Sequence, residues 1–101
     1  MKIAFDIDDT LYKIVGIAPR LRQIPDYEVI HLLLLLHKFG ANIIVWSGGG
    51  NDYAQTIVDK LGLTEFVTVM EKGSIKVDLT FDDQKIKLGT VNFWINREEN
   101  K

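Results

Sequence analysis

Residues 2–10 read KIAFDIDDT, an apolar run from Lys2 to Ile7 that ends abruptly in acids. A strand buried on both faces reads as a near-continuous apolar run, and acids at its end mark the point where it reaches the carboxyl edge of a parallel sheet. Downstream the same grammar recurs. Asn42 to Trp46 (NIIVW) is a second buried strand, Phe66 to Met70 a short third, and Val77 to Phe81 a fourth that runs into Asp82 and Asp83. Val91 to Ile95 is a fifth, after a turn at Gly89.

Between these strands lie two helices. Asp26 is placed to cap Tyr27–Phe39, which has Glu28 in its first turn, Lys38 in its last and Gly40 beyond it. Leu32 to Leu36 leave this helix little polar face, which suits packing on the sheet or against a second copy of the chain. The second helix, Asn51–Leu61, follows the loop Ser47-Gly48-Gly49-Gly50 and stops at Gly62. Leu11 to Pro25, broken by Gly16 and Pro19, reads as loop or a small flap without packing of its own. Strands alternating with helices define an α/β fold with a parallel sheet.

The chain has 101 residues, enough for one domain over 1–101, with a radius of gyration of about 13 Å. Its 12 basic and 14 acidic residues make no electrostatic case for nucleic acid, and without cysteine it has no disulfide, zinc-thiolate or thiol chemistry. The longest apolar run, Val29 to Leu36, contains His31 and is far short of the roughly 20 residues of a spanning helix. No membrane partner and a cytoplasmic location are expected. His31 and His37 lie six apart on the helix and share no face, so they make no metal site. Phe5, Trp46 and Trp94 read as core.

Ligands of parallel sheets sit beyond the carboxyl ends of the strands. Those ends collect Asp6, Asp8, Asp9, Ser47 with its glycines, Glu71, Lys72, Asp82 and Asp83. Asp6 and Asp8 are two apart, about 6.5 Å in extended chain, so they can serve one substrate in separate roles. Asp9 and Thr10 suit the capping of the next turn. Several carboxylates in one place repel unless a cation holds them, and a hard divalent ion, Mg²⁺, fits oxygen donors. Ser47 and Gly48 offer a hydroxyl and unobstructed amides to a phosphate oxygen. Lys72 follows the third strand at this edge, whereas Lys76 enters the fourth strand from the opposite end.

The order FDIDDTL, IIVWS, lysine, LTFDD closely resembles the four motifs of the haloacid dehalogenase superfamily, over Lys2 to Asp83. The resemblance implies a Rossmann-like, three-layer α/β/α domain and a phosphatase that works through an aspartyl-phosphate on a phosphomonoester. It implies Asp6 as nucleophile, Asp8 as general acid and base, and Ser47 and Lys72 as phosphate ligands. It further implies Mg²⁺ held by Asp6, the Asp8 main-chain carbonyl, Asp82 and Asp83, with Asp82 as the direct ligand of that last pair. Members of the family usually carry a cap between motifs; the expected elements leave no room for one, which implies an open site and a large substrate or a second copy closing it. A receiver-like phosphoacceptor or a module that only binds phosphate is the alternative. A receiver would place its acceptor aspartate where this chain has Ser47, and a binding module has no need of Asp8.

Overall fold

The computed structural model describes residues 1–97; the last four positions of the 1–101 domain lie outside the described residues. The chain runs β1 (Lys2–Phe5), β2 (Tyr12–Val15), β3 (Arg22–Pro25), α1 (Tyr27–Lys38), β4 (Asn42–Val45), α2 (Asn51–Lys60), β5 (Val67–Val69), β6 (Val77–Asp82) and β7 (Gly89–Trp94). Five strands form one sheet in the order β5-β4-β1-β6-β7, every neighbouring pair parallel. β1 is central, with Phe5 in register with Val45 on one side and Phe81 on the other. The radius of gyration is 13.0 Å.

The strand order fixes the layers. From β1 to β4 to β5 the chain steps in one direction, so right-handed crossovers put α1 and α2 on the same face. Ile30 and Leu33 of α1, and Ala54, Ile57 and Val58 of α2, accordingly share one core with Ile3, Phe5, Ile43 and Val45. The chain then steps back past β1 to β6 and on to β7, which brings both later connections over the opposite face. Those connections, residues 70–76 and 83–88, contain no helix. Met70, Ile75 and Leu88 cover Ala4, Ile44, Trp46 and Val77 there. The expected three-layer α/β/α arrangement is therefore corrected, among the described residues, to a helical layer, a sheet and a layer of loop.

A second correction concerns Leu11 to Pro25. This segment is an antiparallel hairpin, β2 with β3, in which Lys13 pairs with Ile24 and Val15 with Arg22. It packs as well as pairs: Leu11 and Tyr12 are buried in the same core as the helices. Gly89 begins β7 and is not a turn before it.

Asp26 caps α1 as expected, accepting from the Glu28 and Val29 N–H groups, and Gly40 takes the left-handed conformation that ends it, φ 96°. α1 buries Ile30 and Leu33 while Leu35 and Phe39 remain exposed, so its apolar character exceeds what the sheet covers. Trp46 and Phe5 are core residues, but Trp94 is 45% exposed, with the Lys85 ammonium 5.7 Å from its ring centre. His31 and His37 are exposed and lie near Tyr27 and Phe66 respectively.

Candidate active site

β1 and β6 run side by side and stop together, and Asp6 follows β1 with its N–H donating to the Phe81 carbonyl at 3.0 Å. That register aligns Asp6 with the acids at the end of β6. Carboxylate oxygens of Asp6, Asp82 and Asp83 all lie within 4.8 Å of one another. Lys72, from the connection after β5, projects its ammonium into them, 3.0 Å from Asp6 Oδ1 and 2.8 Å from Asp82 Oδ2. Lys76 sits elsewhere, lining a pocket with Ser74, Lys87 and Thr90. Asp82 is almost wholly buried, and its Oδ1 accepts from the Gln84 N–H at 3.0 Å. Asp83, not Asp82, fronts a cavity of about 310 Å³ shared with Asp6, Asp8, Ser47, Gly48, Gly49 and Lys72.

Burial, and then the charge on Asp82, push the Asp6 carboxyl up to about 7, although Lys72 opposes the shift. Asp83 is likewise raised, by burial and by its hydrogen bond to Asp82. Burial works against charge on Lys72, but its hydrogen bonds to Asp82 and Asp6 and their charges outweigh that and raise it. Three acids and one ammonium are electrostatically incomplete. Their clustered hard oxygen donors fit a divalent cation such as Mg²⁺, which would sit among Asp6, Asp82 and Asp83.

The β4 end supplies the other wall. Ser47 is buried, its Oγ accepts from the Gly49 N–H at 3.0 Å, and the Gly50 N–H donates to the Ser47 carbonyl. α2 starts immediately after, and Gly50, at φ 98°, gives it no side-chain cap. Asn51 and Asp52 in its first turn line a neighbouring cavity with Gly49 and Gly50, whereas the cavity shared with Asp6 is reached by Gly48 and Gly49 of the loop, whose bare backbone suits an anion.

Asp8 stands on the hairpin side. Its Oδ1 accepts from the Tyr53 hydroxyl at 2.6 Å and from Gln23 Nε2 at 3.3 Å. Burial and this hydrogen bond push the Tyr53 phenol up, so it stays a donor. Asp9 takes a left-handed backbone, φ 58°, and its carboxylate accepts from the Ile14 N–H as β2 begins. Arg97 crosses from the far end of the chain to donate to the Asp9 and Thr10 carbonyls and to Asp26 Oδ2. Sequence reasoning missed Tyr53, Gln23 and Arg97. Tyr53 alone carried a signal, its place in the first turn of the helix that leaves the glycine loop.

The chain matches no family model, no curated protein and no solved structure. Among the described residues, no helix is long and apolar enough to cross a membrane.

Proposed function

We propose that this chain is a Mg²⁺-dependent phosphohydrolase of the haloacid dehalogenase type, cleaving a phosphomonoester through an aspartyl-phosphate on Asp6. The observation that carries the reading is the convergence of Asp6, Asp82 and Asp83 within 4.8 Å of one another, with the Lys72 ammonium on Asp6 and Asp82, beside a cavity lined by Asp6, Asp8, Ser47, Lys72 and Asp83. A phosphate in that cavity meets a nucleophile, an acid, a cation and backbone donors at once.

In the first step an Asp6 carboxylate oxygen bonds to phosphorus while the bond to the leaving oxygen breaks, and Asp8 gives that oxygen its proton. In the second, Asp8 takes a proton from water as the water oxygen bonds to phosphorus and the Asp6–phosphorus bond breaks. Asp8 is then protonated again for the next turnover. Lys72, the Ser47 hydroxyl and the Gly48 amide stabilise charge on the equatorial oxygens. Mg²⁺, when bound, screens anionic Asp6 from the anionic phosphate and keeps Asp6 ionised.

The test is phosphate release from an aryl phosphate with and without Mg²⁺, for the wild-type chain and Asp6→Asn. Metal-dependent turnover by wild type and its loss in Asp6→Asn, by at least about a thousandfold, is expected. Turnover that survives Asp6→Asn overturns the aspartyl-phosphate route. If neither chain turns over, failure of beryllium fluoride to bind at Asp6 rejects the reading altogether.

A further inference from the structure

Resting on the phosphohydrolase reading, we infer that Tyr53 is a positioning residue for Asp8, fixing which carboxylate oxygen carries the catalytic proton. The Tyr53 hydroxyl lies 2.6 Å from Asp8 Oδ1, the length of a hydrogen bond to a charged oxygen. Gln23 Nε2 also reaches Oδ1, at 3.3 Å, and lies 3.4 Å from the Tyr53 oxygen, so α2, β3 and the loop after β1 meet at one carboxylate atom. Both partners donate. Oδ1 is thereby an acceptor whatever the charge on Asp8, and the exchangeable proton is confined to Oδ2. A freely turning carboxyl would offer either oxygen and lose alignment at each turnover.

Two features show that this contact is built into the chain. From the first turn of α2 the Tyr53 hydroxyl reaches back to the loop after β1, 45 residues away in sequence. The ring also lies against Gly49, where a Cβ would crowd Tyr53 Cδ2 at 3.1 Å and Ser47 Oγ at 3.4 Å. Gly49 thus has a duty besides chain reversal. Gln23 extends the arrangement to the hairpin, so the placement of β3 and the orientation of Asp8 are linked.

Loss of the contact should show in leaving-group dependence, because Asp8 as acid matters most when the departing oxygen is strongly basic. The experiment compares kcat/KM for phenyl phosphate and p-nitrophenyl phosphate, in Mg²⁺, for wild type, Tyr53→Phe, Gln23→Leu and Gly49→Ala. Tyr53→Phe should lower the phenyl phosphate value about tenfold and the nitrophenyl value about threefold or less. Gln23→Leu should show a weaker version of this pattern, whereas Gly49→Ala, whose Cβ would also lie 3.4 Å from Ser47 Oγ, should lower both values. Equal losses on both esters in Tyr53→Phe, or none on phenyl phosphate, would overturn the inference while leaving the phosphohydrolase reading intact. Should Tyr53→Phe not fold, Gln23→Leu decides it by the same criterion. A wild-type chain that turns over neither ester and binds no beryllium fluoride at Asp6 removes both readings.

Discussion

The sheet has two unlike halves. On the β5-β4-β1 side, Ile3, Phe5, Ile43 and Val45 are each no more than 3% exposed beneath two helices. On the β6-β7 side, Val91 and Phe93 are both 47% exposed, and Phe93 is stacked on Phe81, itself stacked on Phe5. Val and Phe do not separate them, since both halves carry both. The crossovers do: those serving β4 and β5 contain α1 and α2, whereas residues 83–88 leave no length for a helix before β7. The candidate site straddles the seam, taking Asp6 and Ser47 from the covered half and Asp82 and Asp83 from the bare one.

If burial under helices is what separates the halves, truncation should cost most in the covered half. Leu33→Ala, fully buried in α1, should lower stability by about 3 kcal/mol in urea denaturation; a loss below about 1 kcal/mol would break the contrast. Next comes the tie between the halves. Arg97, beyond the end of β7, holds Asp26 Oδ2 at 2.7 Å, and both side chains are at least nine-tenths buried. Arg97→Met strands the Asp26 carboxylate and should cost about 2–3 kcal/mol by the same measurement.

Acidity sharpens the comparison at the seam. Asp6 binds its proton more readily folded, at about 7, than at its ordinary 3.8. Its contribution to stability is therefore complete below pH ~4 and is lost as pH rises through about 7. In EDTA the midpoint of thermal unfolding should fall by several degrees from about pH 5 to pH 8, and Mg²⁺ should raise it more at pH 8 than at pH 5. A flat profile in EDTA would mean that Asp6 stays ionised beside Lys72. The smallest effect is reserved for the bare half: Phe93→Ala should cost about 1 kcal/mol or less, for one exposed stacking partner.

Much of this was legible because strand ends announce themselves. KIAFD, NIIVWS and VDLTFDD each pass from apolar to polar where the chain leaves the sheet, so the acids and Ser47 could be gathered before any strand was paired. Strand order was not legible, and with it the placement of both helices on one face. The hairpin was hidden because Tyr12 and Ile14 alternate for only one short strand before Gly16 and Pro19 interrupt, and its partner RQIP has no buried face to pattern it. Gln23 and Arg97 act over distances of 15 and more than 70 residues, which no local periodicity encodes. Lys72 was separated from Lys76 by strand direction alone; its ammonium lies 3.0 Å from Asp6 and 2.8 Å from Asp82.

The connection between β5 and β6 carries two duties in residues 70–76. Met70 and Ile75 close the sheet face that has no helix, and Lys72, between them, meets Asp6 and Asp82. The roof of one side of the molecule is thus also the arm that delivers the ammonium. Any change that loosens Met70 or Ile75 against the Trp46 cluster should let Lys72 drift from the carboxylates, so the ion pairs at the strand ends depend on packing across the opposite face of the sheet.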